Sequence, residues 1–235
     1  MQLVTAKTPI SRCETASIYT QESLQRFSRL FTVSDTERAK LNELAATLNA
    51  STASLLSAQA DYRASVIALV GYRVGLKLVD FKADSVVRSA KRAADDAGAD
   101  IAGAVFPNGT TPIVKPVGQS EVTELQRLEG RIAAASSWAA GAGQLALVTA
   151  VRGEYETAIR ERGVASMAAG AKRAVRDNVR EDFLDVFASV AAAIKQMFPR
   201  DRAKQDVFFE STRASAADDA EDPDDGDEPL TPAAG

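Results

Sequence analysis

The segment VFPNGTTPIVKP, residues 105–116, contains the only three prolines of the chain between Pro9 and Pro199. Proline interrupts a helix and is confined to the edges of sheets. Asn108-Gly109 is a favoured pair for a two-residue hairpin turn, with apolar residues on both sides of it. The segment therefore predicts a short β-like tip, within residues 101–118, at which the chain reverses direction.

A long apolar repeat precedes this tip. Ser34 and Glu37 have the spacing of a capping box, and no proline follows before Pro107. From Leu41 onward an apolar or small residue recurs at every seventh position, which is typical of a coiled-coil helix. Gly98 is suited to end that helix. The pattern predicts one helix from about Asp35 to Ala97, with its repeat at Leu41, Leu48, Leu55, Tyr62, Leu69, Leu76, Ala83, Ala90 and Ala97.

A second apolar repeat follows the tip, from about Ser120 until Pro199 ends it. Gly163 marks a point where this second helix could break. If the chain folds back about Asn108-Gly109, residue i faces residue 217 − i, so that Gly71 and Gly75 lie opposite Ala146 and Ala142. Close packing of these small residues is favoured over a hinge. The predicted fold is all-α, a long antiparallel helical hairpin (coiled-coil-like) over residues 34–198.

A small helical base is expected to complete this fold. Residues 1–33 should form an N-terminal segment and a short helix that packs on the base, and residues 199–213 a C-terminal extension. Phe208 and Phe209 belong either to the core of the base or to a docking surface. The phenylalanines expected to meet there are Phe27, Phe31, Phe183, Phe187, Phe198, Phe208 and Phe209.

The charge is distributed unevenly along the chain. Net charge is −4, yet residues 214–235 hold eight acidic side chains and no basic one. The remaining 213 residues are therefore mildly basic. Such a composition predicts a disordered acidic tail at 214–235.

The residue types disfavour catalysis and metal binding. The chain has no histidine and a single cysteine, Cys13, which excludes histidine-based acid–base chemistry, an intrachain disulfide and a cysteine cluster for zinc. We expect no catalytic residue, no metal, no cofactor and no small-molecule substrate. No secretory signal is visible, so a cytoplasmic protein is expected.

These observations favour a non-enzymatic structural or assembly protein that forms homo-oligomers, or binds a protein partner, through its long helices. One alternative is a membrane-active helical protein, similar in architecture to pore-forming proteins. Another is an adaptor that works through its acidic tail. Nucleic acid is not expected as a partner. The candidate interaction residues of the tip are Val105, Phe106, Asn108, Gly109, Ile113 and Val114.

Overall fold

The computed structural model describes residues 4–30 and 32–210, and in these residues the secondary structure is helical, with no strand. The prediction of an all-α helical hairpin is confirmed. The predicted tail at 214–235 and Phe31 lie outside the described residues. The helices are α1 (Ile10–Ser28), α2 (Asp35–Ala97), α3 (Ala99–Val105), α4 (Thr111–Val114), α5 (Gln119–Ala134), α6 (Gly141–Met197) and α7 (Arg202–Val207).

Both ends of α2 are set by local sequence. The backbone N–H of Ser34 donates to Glu37 Oε2 at 2.9 Å, and the N–H of Glu37 donates back to Ser34 Oγ at 3.3 Å. This reciprocal pair satisfies two donors that a helix start otherwise leaves free. Gly98 then follows the helix with φ 121°, a conformation that other residues rarely adopt. The predicted bounds of α2 are therefore correct.

The tip differs from the β-like turn that its prolines suggest. Residues 111–114 form one helical turn, in which Pro112 stands near the start, where a missing N–H disturbs nothing. Gly109 and Gly118, both at φ 70°, redirect the backbone on either side. The expected extended tip is corrected to a folded connection of short helices.

The second long helix also differs from its prediction. It does not run from Ser120 to Met197, because the connection from Ala135 to Ala140 separates α5 from α6. Trp138 in this connection is buried, and its side chain lies 3.5 Å from where a Cβ of Gly141 would be. The expected break near Gly163 is absent, since α6 continues through that residue. The interruption thus coincides with the burial of one tryptophan.

The chain divides into two compact units. The first runs to Arg63 and resumes at Ala171, and its core lies among α1, the first half of α2 and the second half of α6. Phe208 lies at ring-centroid distances of 5.0 Å from Phe27 and 5.8 Å from Phe198. The aromatic core predicted for the base is therefore confirmed for the described phenylalanines.

The second unit spans Ala64–Gly170. Its core lies among the second half of α2, α5 and the start of α6, with residues of the tip folded onto them. Here Lys82 Nζ lies 2.7 Å from Glu154 Oε2, and the hydroxyl of Tyr155 lies 3.0 Å from Asp80 Oδ1. Residue i therefore lies near 235 − i, not near 217 − i as the symmetric hairpin predicts. The difference arises because α5 folds back separately.

The register leaves the helix glycines without the close packing expected of them. An added Cβ at Gly71 or Gly75 would meet no atom within 4 Å. The interpretation of these residues as close-packing positions against Ala142 and Ala146 is therefore wrong.

The two units are built on the same plan. Buried positions of α2 recur 100 residues later in α6, so that each half of the chain supplies one long helix with the same pattern of burial. The recurring buried pairs are Leu48 and Val148, Leu55 and Tyr155, Leu69 and Ala169, Ala83 and Phe183, Val87 and Phe187, Ala90 and Val190, and Ala94 and Ile194.

Candidate functional site on the outer face of helix α2

Large apolar side chains are exposed along one face of α2 in the second unit. We call this set the α2 stripe. Its members are separated by three or four residues, which places them on one side of a helix. Their exposed fractions are 72% for Ile67, 50% for Val70, 53% for Val74, 64% for Leu78 and 69% for Phe81.

The stripe lies opposite the side of α2 that forms the core. Leu69 is 2% exposed and Ala83 is fully buried, and each is about half a helical turn away from the stripe. Over these residues α2 is apolar on both sides. Helices of this kind are normally covered on both sides, by protein or by lipid.

The stripe is large for an uncovered surface. Five side chains exposed by half or more amount to on the order of 500 Å² of apolar surface, near the upper end of what a monomer presents in one patch. Patches of this size commonly mark a surface that binds another molecule. The stripe is therefore the strongest candidate for an interaction site in the described part of the chain.

The corresponding face of α6 shows that the fold does not require such a stripe. One hundred residues later, the same exposed positions carry Met167, Gly170, Ala174, Asn178 and Glu181. Only Met167 is large and apolar there. Polar and small residues therefore occupy the corresponding positions of α6, whereas α2 exposes five large apolar side chains.

Two cations lie beside the stripe. Arg73 and Lys77 are exposed, and within residues 4–30 and 32–210 neither side chain makes an ion pair or hydrogen bond. Lys82, also on α2, is instead held by Glu154. The stripe is consequently apolar along its centre and positively charged on one side.

A groove of about 510 Å³ borders the other side of the stripe. It lies between α2 and α6, and Gly71, Gly75 and Gly153 make it shallow by leaving out side chains. Its ionisable groups are Tyr72, Glu154 and Glu161. No histidine, cysteine or lysine lines it to act as a nucleophile or a base.

The residues that the sequence singles out lie elsewhere. Val105, Phe106 and Ile113 are buried in the core of the second unit, where a partner has almost none of their surface to contact. Val114 and Gly109 are half-buried, and Asn108 is exposed. Phe208 and Phe209 are buried in the first unit, where they belong to its core and not to an exposed surface.

A buried polar cluster joins three helices of the second unit. The hydroxyl of Tyr155 donates to Asp80 Oδ1 and accepts from the N–H of Gly118, both at 3.0 Å. Glu121 is 1% exposed beside them, and its Oε2 has no hydrogen-bond partner. Burial, together with the nearby charges of Asp80 and Asp84, raises the pKa of Glu121 to about 8. Glu121 is therefore protonated in the folded protein at neutral pH.

The remaining ionisable groups do not assemble into a reactive centre. Cys13 is fully buried, and burial raises the pKa of its thiol, which makes it a poor nucleophile. The described residues contain no group of three or more His, Cys, Asp or Glu placed to hold a metal ion. No helix among them has the length and apolar content needed to cross a bilayer.

Comparison of the chain with known protein families, with curated proteins and with solved structures finds no match in any of the three.

The sequence contains the signal that identifies the stripe. Ile67, Val74 and Phe81 are seven residues apart and form a second apolar repeat beside the one at Leu69, Leu76 and Ala83. A helix with two such repeats on opposite sides has two faces to bury.

Proposed function

We propose that this protein is a non-enzymatic structural or assembly protein that self-associates through the α2 stripe. The observation that carries the proposal is the outward apolar face of α2, which the equivalent positions of α6 lack. Association would remove five exposed apolar side chains of each copy from water. At about 25 cal/mol per Å² this gain is of the size needed to offset the loss of translational and rotational freedom.

Sedimentation velocity over a wide range of protein concentration tests the proposal. We expect the chain to associate reversibly, and the double variant Val74→Lys/Leu78→Lys to remain monomeric because it buries charge at the contact. Ala50→Lys/Ala53→Lys is a matched control, with the same charge added at exposed positions of α2 in the first unit. A wild-type chain that stays monomeric at the highest concentration would refute the proposal.

A membrane surface is the second candidate partner, because Arg73 and Lys77 lie along one side of the stripe. An apolar helix face with cations beside it suits the interface of a membrane that contains anionic lipids. Flotation with vesicles of anionic lipid tests this candidate. Binding that weakens as salt is added and disappears in Val74→Lys/Leu78→Lys would support it, whereas binding unchanged by those lysines would refute it.

A further inference from the structure

The residues of the α2 stripe are spaced symmetrically about Val74. Ile67 and Phe81 lie seven residues before and seven residues after Val74, so these three form a central line along the face. Gly71 and Leu78, also seven apart, form one edge of it. Val70 and Lys77 form the other edge. Two helices that pair through equal surfaces need such a self-complementary arrangement.

We propose that two copies of the chain pair through α2 in antiparallel orientation, with Val74 at the two-fold axis. This inference rests on the proposed self-association and specifies its geometry. Val74 then packs on Val74 of the other copy, and Ile67 packs on Phe81 of the other copy. All three residues of the central line are buried by equivalent contacts on both copies.

The edges of the stripe decide between antiparallel and parallel pairing. In an antiparallel pair related by a two-fold axis, like edges meet, so Leu78 lies over Gly71 of the other copy. Space is available there, since a Cβ at Gly71 would meet nothing within 4 Å. A large residue thus enters a position without a side chain, as knobs-into-holes packing requires.

Parallel pairing matches the same edges poorly. Unlike edges then meet, so Leu78 lies against Lys77 and Val70 lies against Gly71. The first contact places a cation beside a buried leucine, and the second leaves a gap. The antiparallel arrangement places Lys77 beside Val70 of the other copy, so polarity does not separate the two arrangements. The fit of Leu78 over Gly71 favours the antiparallel one.

The antiparallel arrangement has an electrostatic consequence. It brings Arg73 and Lys77 of both copies to the same side of the contact. Four like charges repel one another, and salt screens that repulsion. We expect dimerisation to strengthen as salt is added, which is the opposite of the salt dependence expected for binding to an anionic membrane.

Disulfide crosslinking of the full chain tests the geometry. In a Cys13→Ser background, Val74→Cys should form a disulfide-linked dimer, because both cysteines lie at the two-fold axis. Ile67→Cys should not crosslink with itself but should crosslink when mixed with Phe81→Cys. Ala50→Cys, exposed on α2 in the first unit, controls for random collision.

A second variant tests the edge contact without changing the stripe. Gly71→Leu adds a side chain in open space, so the helix remains folded, but it fills the position that Leu78 of the other copy needs. We expect dimerisation to weaken at least tenfold. Gly75→Leu, one helical turn away and off the central line, should leave dimerisation within about twofold of wild type.

The outcomes separate this inference from the proposed function. Self-crosslinking of Ile67→Cys, with none between Ile67→Cys and Phe81→Cys, would overturn the antiparallel geometry and leave self-association through the stripe in place. Association in sedimentation without any of these crosslinks would assign assembly to another surface, and would overturn both the antiparallel geometry and association through the stripe. A monomeric wild-type chain would overturn the inference and the proposed function together.

Discussion

Tyr155 and Asp80 link the two long helices by a hydrogen bond in the second unit. The Tyr155 hydroxyl donates to Asp80 at 3.0 Å and at the same time accepts from the backbone N–H of Gly118, which precedes α5. One buried hydroxyl therefore ties α2, α6 and the start of α5. The ion pair of Lys82 with Glu154 lies in the same register of α2 against α6.

Replacing Tyr155 by phenylalanine removes this link and leaves the ring in place. We expect Tyr155→Phe to lower the free energy of unfolding by about 1–3 kcal/mol, because the N–H of Gly118 loses its partner inside the protein. Urea unfolding followed by circular dichroism measures the change. Tyr19→Phe, at an exposed tyrosine of α1, serves as the control and should have little effect.

Glu121 should make stability depend on pH. Its pKa is about 8 in the folded protein and near 4.5 ordinarily, so between these values the folded chain holds a proton that the unfolded chain has lost. Unfolding then releases a proton, and the free energy of unfolding falls as pH rises from about 4.5 to about 8. We expect Glu121→Gln, which stays neutral, to lose less stability over this range in urea titrations.

The control for this pH dependence is Glu181→Gln, at an exposed position of α6. Its unfolding curves should follow those of the wild-type chain at each pH. A wild-type stability that rises between pH 5 and pH 8 relative to Glu121→Gln would contradict the assignment of a neutral, buried Glu121.

Phe208 should be among the most important residues for the stability of the first unit. It is fully buried and contacts the rings of Phe27 and Phe198. We expect Phe208→Ala to cost about 3–5 kcal/mol, since it leaves a cavity among rings that cannot close it. The neighbouring Val207→Ala, at a side chain exposed by half, should cost far less in the same thermal or urea unfolding experiment.

Replacing either of two helix glycines by alanine should stabilise the protein. Gly75 and Gly163 lie within α2 and α6, where an added Cβ would meet nothing within 4 Å. We expect Gly75→Ala and Gly163→Ala to raise the free energy of unfolding by about 0.5–1 kcal/mol each. Gly98→Ala should lower it, because φ at Gly98 is 121°. Destabilisation by Gly75→Ala would instead indicate a close contact there.

Features decided by neighbouring residues could be predicted from the sequence. The capping box at Ser34 and Glu37, the repeat from Leu41 and the glycine at position 98 together define α2. The aromatic core could also be predicted, because most of the phenylalanines cluster near the chain ends and the first and last helices meet there.

Features decided by tertiary packing could not be predicted in the same way. Residues 134–140 are rich in alanine and contain no proline, so nothing local interrupts the helix there. The interruption coincides with the burial of Trp138 in a core to which α2 and α5 also contribute. With α5 folded back separately, α2 pairs with α6 in a register that differs from the symmetric hairpin. Gly71 and Gly75 therefore lie in a different environment from the predicted one.

The candidate site was only partly visible. The sequence alone suggests a membrane-active protein as an alternative, but the stripe itself is recognised only when its repeat is separated from the buried one at Leu69 and Ala83. The pattern of burial in the structure makes that separation directly. The comparison with Asn178 and Glu181 then shows that the corresponding positions of α6 are polar.

The division into units has a consequence for how the chain folds during synthesis. Residues 64–170 of the second unit are continuous, so this unit can form once they have left the ribosome. The core of the first unit is completed only by residues from both ends, because it combines α1 and the first half of α2 with the end of α6. Once the second unit has folded, it acts as a shorter loop between the two segments of the first unit. Less entropy is then lost when those two segments meet.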